Sequence, residues 1–263
     1  MPMMKANGAN FYYELHGEGH PLILIAGYTC DHLFWIPLLG ILSQFFQVLL
    51  FDNRGVGCTA DDGRVLSGEL LANDVMELAS LLNLKQPHII GQSMGGMIAQ
   101  YIAALYPDRI SKVGILSAPA QIRNVTLFSL KSLMMMREKN IDFDIAFAAS
   151  FPWFYGKKFL QKESKIASIK KLVLARENPQ SLVNQKRQLD LLATLDTHEH
   201  LTKIQAPTLI GYGKQDLMVL PSQVKSMARQ IPQSTIIAFN CAHAIVEEVP
   251  NELSNTLLEF LQS

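Results

Sequence analysis

The sequence predicts a doubly wound, mostly parallel α/β sheet with an inserted all-helical cap, and three observations carry that reading. Six short apolar runs are separated by helix-length amphipathic segments. The runs are continuous in Ile, Leu and Val rather than alternating, which suits parallel strands covered on both faces. The alternation of strand and helix stops between about Gln121 and Gln205, where only helical patterns remain. At 263 residues, 49% hydrophobic and 17% charged, the chain can bury one large core, and wholesale disorder is excluded.

In chain order, "NFYYELHG" (10–17) alternates and is rich in β-formers, so it reads as an antiparallel strand. The buried strands are "PLILIAG" (21–27), "FQVLLFD" (46–52), "PHIIGQ" (87–92), "KVGILSA" (112–118), "PTLIGYG" (207–213) and "STIIAF" (234–239). Between and after them, "LFWIPLLGILSQF", "GELLANDVMELASLLN", "MGGMIAQYIAALYP", "LPSQVKSMARQIP" and "NELSNTLLEFLQS" have helical spacing. The inserted stretch reads as four helices, at roughly 124–139, 141–155, 157–177 and 180–200. This divides the chain into a core, 1–120 with 206–263, and a cap, 121–205.

Lys+Arg and Asp+Glu are both 23, so no global charge points to nucleic acid or to an anionic membrane. No apolar run approaches the ~20 residues of a membrane span, and "MPMMKANGANFYYE" has no signal-peptide core. Cys30, Cys58 and Cys241 are odd in number and widely spaced, which fits neither a disulfide framework nor a metal knuckle. A reducing cytoplasm is the expected location. No cluster at metal-ligand spacing and no Gly-rich phosphate loop is present, so no metal and no cofactor are expected.

"HIIGQSMGGMIAQY" (88–101) seats Ser93 in Gly91-Gln92-Ser93-Met94-Gly95, a G-x-S-x-G pattern where a strand gives way to a helix. By chance the pattern occurs in roughly one chain in ten of this length, so its surroundings decide. A serine hydroxyl becomes a nucleophile when a neighbouring base takes its proton and an acid orients that base. In a doubly wound sheet such groups gather beyond the carboxyl ends of the strands. Asp216 lies just beyond the strand at 207–213, and His243 just beyond the strand at 234–239. The other six histidines begin strands or helices, flank turns or occupy polar ends, and read as structural or solvated. The rival position for the acid, after the strand at 112–118, holds Ser117, Ala118 and Pro119 and no carboxylate. Ser93, Asp216 and His243 are therefore the candidate catalytic residues, in an order known for serine hydrolases. Acyl transfer also needs donors for a developing oxyanion. The backbone N–H groups of Met94, opening the helix, and of Tyr28, after the turn at Gly27, are the candidates.

Five segments in order, "AGYTCDHLFW", "FDNRGVGCT", "GQSMGG", "GYGKQDLMV" and "CAHAIVEEVP", resemble those of the α/β-hydrolase family, in its small esterase-like members with a four-helix cap. The resemblance spans essentially the whole chain. Pimeloyl-carrier-protein methyl esterases and 3-oxoadipate enol-lactone hydrolases are similar in size, cap and triad. Two positions depart from the family pattern: Ala26 stands where His usually precedes the glycine, and Ala242 precedes His243 where Gly is common. The resemblance implies a serine hydrolase acting on a carboxylic ester. Enol-lactone or C–C bond hydrolysis by the same triad, and a non-catalytic ligand-binding protein on the same fold, are the alternatives. Serine at the turn argues against the relatives that use aspartate there.

The cap's aromatic and Met side chains suggest an apolar acyl pocket, although helical spacing assigns most of them to packing. Its charge is distinctive. Residues 121–205 hold 14 Lys/Arg against 8 Asp/Glu, which leaves the core negative by the same margin. The excess concentrates in 157–187, which reads either as a solvated face or as a docking site for an acidic partner such as an acyl carrier protein. The sequence leaves the oligomeric state open.

Overall fold

Leu22 and Leu24 point to one side of their strand, Ile23 and Ile25 to the other, and all four are fully buried. Side chains on a strand alternate faces, so a continuous apolar run buries completely only where helices cover both sides. The computed structural model describes residues 2–263 and shows that arrangement. The strands are β1 (Met3–Ala6), β2 (Ala9–His16), β3 (His20–Ile25), β4 (Phe46–Phe51), β5 (His88–Gln92), β6 (Val113–Leu116), β7 (Thr208–Gly213) and β8 (Ser234–Phe239). They form one sheet in the order β1-β2-β4-β3-β5-β6-β7-β8. β1, β2 and β4 pair antiparallel, and every pairing from β4 through β8 is parallel.

On one face lie α1 (Ile36–Leu42), α11 (Ile245–Glu248) and α12 (Pro250–Gln262). Together with Trp35, just before α1, they pack Leu38, Leu42, Leu253 and Leu257 against Leu22, Leu24, Val48 and Leu50. On the other face α2 (Gly68–Leu81), α3 (Met94–Leu105) and α10 (Pro221–Ala228) cover Ile23, Ile25, Leu49 and Ile89. Each such side chain contributes about 1.5–3 kcal/mol by leaving water.

Six helices fill the chain between β6 and β7: α4 (Asn124–Glu138), α5 (Phe143–Phe154), α6 (Lys157–Leu160), α7 (Glu163–Leu174), α8 (Leu182–Thr194) and α9 (His198–Leu201). Two of the four expected helices are broken. The stretch at 157–177 turns at Gln161–Lys162, so that Phe159 of α6 is buried while α7 has no buried residue. The stretch at 180–200 stops after Thr194, where Asp196 bridges Gln121 and the Thr197 N–H donates to the Ala120 carbonyl at 2.9 Å. Tertiary pairing there outcompetes continued helix. Strand β1, the four-residue run MMKA, is too short to be read from pattern. Among the described residues no helix is long and apolar enough to cross a membrane.

His88 begins β5 at the edge opposite the strand ends that carry Ser93, Asp216 and His243. Its imidazole is packed between the rings of His20 and Phe46, with centroids at 4.2 and 5.9 Å. Burial, then the nearby His20 and Lys112 charges, push it down to about 4. The folded protein thus binds this proton later than the unfolded chain, which takes it up near pH 6.5. The neutral ring's stabilisation is complete above pH 6.5 and is lost as pH falls towards 4, amounting to about 3 kcal/mol. Urea midpoints at pH 7.5 and 4.5 should differ less for His88→Phe than for the wild type. Equal differences would assign the acid sensitivity to other groups.

Candidate active site

Ser93 sits at the junction of β5 and α3 with φ +55° and ψ −119°, a backbone conformation that side-chain-bearing residues seldom adopt. The strain, of order 1–3 kcal/mol, is held by close packing on both sides. A Cβ on Gly91 would stand 2.0 Å from the Gly95 carbonyl oxygen, and one on Gly95 would stand 2.1 Å from that of Ile25. Any side chain at either position would push strand and helix apart. The Ser93 N–H donates to the Leu116 carbonyl at 2.8 Å, which fixes the turn against β6.

The loops after β7 and β8 are tied to each other. Lys214 N–H donates to the Phe239 carbonyl and Gln215 N–H to the Cys241 carbonyl, both at 2.9 Å. This brings Asp216 and His243, 27 residues apart, into contact: His243 Nδ1 lies 2.9 Å from Asp216 Oδ2. The other oxygen, Oδ1, accepts the Met218 and Val219 N–H groups at 2.8 Å each. Asp216 and His243 are 2% and 6% exposed. A carboxylate only accepts, so Nδ1 carries the hydrogen and Nε2 keeps its lone pair. Ser93 Oγ makes no hydrogen bond to His243 among the described residues. The serine turn is nevertheless joined to the histidine loop, because Gln92 Nε2 donates to the His243 carbonyl at 2.8 Å.

Met94 is the first residue of α3, and its N–H lacks an intrahelical acceptor by position. The turn carrying Tyr28 abuts Ser93: a Cβ on Gly27 would lie 3.3 Å from Ser93 Cβ. Asp52, fully buried, accepts the His32 N–H, the His32 ring and the Cys58 N–H at 2.7–2.8 Å, holding the loops after β3 and β4 together. Burial pushes the Cys30 thiol up to about 12, which disfavours the thiolate, and the side chain packs against the core on that face.

The helical insertion is fastened to the histidine loop by residues whose part the sequence did not disclose. Glu248 accepts the Ala242 N–H at 2.7 Å through one oxygen and the Gly156 N–H at 2.9 Å through the other. Tyr155 donates to Glu247 at 2.6 Å, Lys157 N–H to Gln215 Oε1 at 3.0 Å, and Ala244 N–H to the Phe154 carbonyl at 3.0 Å. Burial raises the pKa of both glutamates. The Phe154 ring stands 5.9 Å from the imidazole of His243. Between α4 and α5 runs a groove of about 500 Å³ walled by Val125, Phe128, Leu133, Met136 and Trp153. Phe128 is 74% exposed at its rim.

A family model for the alpha/beta hydrolase fold matches residues 20–165. The chain belongs to that family. Two curated relatives of this α/β hydrolase span nearly its whole length. One, from Agrobacterium fabrum, carries the provisional name carbamate hydrolase RutD and is 27% identical, covering 95% of this chain and 97% of its own. The other is the pimeloyl-[acyl-carrier protein] methyl ester esterase of Photobacterium profundum, 29% identical over 95% and 98% of the two chains. Among solved structures, an enol-lactonase from Burkholderia xenovorans superposes with a TM-score of 0.87 over the full length of both chains at 22% identity. That likeness establishes the shared fold.

Proposed function

We propose that the protein is a serine hydrolase that cleaves a carboxylic ester through an acyl-enzyme. The observation that carries this reading is the His243–Asp216 hydrogen bond joined through Gln92 to the strained turn of Ser93. Ser93 Oγ attacks the ester carbonyl while His243 Nε2 takes its proton, and Asp216 holds the ring and stabilises the imidazolium. The tetrahedral oxyanion lies between the Tyr28 and Met94 N–H groups. Collapse expels the alcohol, protonated by His243. Water, deprotonated by the same nitrogen, then attacks the acyl group and releases the acid and Ser93. The curated relatives are named for hydrolysis of a carbamate and of an ester, both carbonyl compounds, which supports acyl chemistry for this chain. Removing the Ser93 hydroxyl and measuring ester turnover tests the assignment.

The substrate's carrier is a separate matter, and here the surface of the insertion favours an acidic partner. Of the nine cations in 157–187, Lys170, Arg176, Lys186 and Arg187 have carboxylate partners. Lys157, Lys158, Lys162, Lys165 and Lys171 are exposed and carry no ion pair among the described residues. The Photobacterium relative is named for an acyl-carrier substrate, so an acyl group delivered on an acidic carrier protein is the partner proposed here. Charge reversal at Lys157, Lys158, Lys162 and Lys165 should raise KM for a carrier-bound ester several-fold, more at low salt, and leave a p-nitrophenyl ester unchanged. Equal effects on both substrates, or none on either, would make these lysines a solvated face.

A further inference from the structure

Besides Leu191, helix α8 buries Gln185, Gln188, Leu189 and Leu192, these four spaced as one face of a helix. Two of these four are glutamines, at positions where burial alone would select leucine. Gln188 is 1% exposed, and an amide at that depth costs roughly 1–3 kcal/mol unless it is paired. Its Oε1 accepts the backbone N–H of Thr29 at 3.1 Å, across 159 residues of sequence.

Thr29 is the third residue of a turn closed by the Cys30 N–H and the Gly27 carbonyl at 3.2 Å. Its φ is +61°, whereas Tyr28 before it stays in the negative region. That is a type II turn, whose third position favours Gly or Asn; a β-branched residue there is strained. Types I and II differ by rotation of the central peptide, here Tyr28–Thr29. Relaxation to type I would relieve Thr29, swing its N–H away from Gln188 and present the Tyr28 carbonyl oxygen to Oε1. The hydrogen bond from α8 opposes that rotation. The acceptor is itself anchored: Gln180 Nε2 donates to the Gly55 carbonyl at 3.2 Å, and Arg187 pairs with Asp61.

We propose that Gln188 is a positioning residue for the serine chemistry. Its amide oxygen anchors the Thr29 N–H and keeps the Gly27–Cys30 turn in place, and the anchored turn fixes the position of the adjoining Tyr28 N–H beside Ser93. Oxyanion stabilisation on the core would thus be set from the inserted helices. The inference rests on the serine-hydrolase reading above.

The test uses the whole protein. Gln188→Met keeps volume and helix propensity but removes the amide acceptor, and Gln188→Glu keeps an acceptor oxygen. For Gln188→Met, kcat on a p-nitrophenyl ester should fall roughly 10- to 100-fold with KM within about threefold. Affinity for a trifluoromethyl ketone, which forms the tetrahedral adduct, should fall by the same factor, while Gln188→Glu stays near wild type. Thr29→Gly in the Met background removes the penalty on positive φ and should restore part of kcat. If Gln188→Met does not fold, Gln188→Asn, one methylene short of Thr29, takes its place. Wild-type kcat in the folded variant, or a lower kcat with undiminished ketone binding, overturns the proposal. A fully active Ser93→Ala protein overturns the serine reading and this inference with it. An inactive Ser93→Ala protein beside an unaffected Gln188→Met protein overturns this inference alone.

Discussion

Ser93→Ala should lower kcat for a short p-nitrophenyl ester by about 10⁴- to 10⁶-fold, leaving a slow residual rate. The hydroxyl is the only group lost. The His243–Asp216 pair and the two proposed oxyanion donors remain, so some turnover above the uncatalysed rate should persist. Alanine adopts the backbone conformation at 93 no less readily than serine, and thermal stability should match that of the wild type. A fluorophosphonate probe supplies the second readout: a single adduct on Ser93 in the wild type, none in the variant. Activity within tenfold of wild type would remove Ser93 from the mechanism. A folded wild-type protein that takes no label would favour a ligand-binding protein on a hydrolase fold.

The next largest effect is expected at Asp216→Asn, where kcat should drop by roughly 10⁴ with little change in KM. The reason is geometric. Oδ1 already accepts two backbone N–H groups, so an asparagine oxygen stays on that side and its NH₂ faces His243 Nδ1. A donor there forces the ring hydrogen onto Nε2, which then cannot take the proton of Ser93. Steady-state kinetics with parallel thermal melts checks this. A near-normal kcat with a lowered melting temperature would show the amide turned the other way, with the Met218 and Val219 N–H groups left unpaired.

The central strands and the positions of Ser93, Asp216 and His243 at their ends were legible because both depend on patterns that local sequence carries. Leu22 to Ile25 is apolar without a break because both faces are covered, and Gly91 and Gly95 mark a turn with no room for side chains. The contacts that organise the site around those ends were not legible. Gln92, Gln188 and Glu248 are polar, and a polar residue read alone suggests solvent; only the fold shows that each meets a backbone group far away in sequence, at His243, Thr29 and Gly156. A signal for Gln188 did exist in the face it shares with Leu189 and Leu192. The helix breaks at 161–162 and 195–197 were hidden for a related reason. Helical periodicity continues through them, and the tertiary contacts that interrupt it involve Phe159 and Asp196.

Glu248 holds one backbone amide from the histidine loop and one from the junction of α5 and α6. The consequence concerns how such a protein could diversify. Helices inserted between β6 and β7 look exchangeable, since Gln121 and Asp196 pair with each other near the two ends of the insertion and the strands need no change. Yet a chimera that imported foreign helices would leave the Gly156-facing oxygen of half-buried Glu248 without its donor, in the loop that carries His243. Recombination at this locus therefore succeeds only when the incoming segment brings an amide to that oxygen, or when residue 248 is exchanged with it. The unit of inheritance is the inserted helices together with one glutamate that lies outside them in sequence.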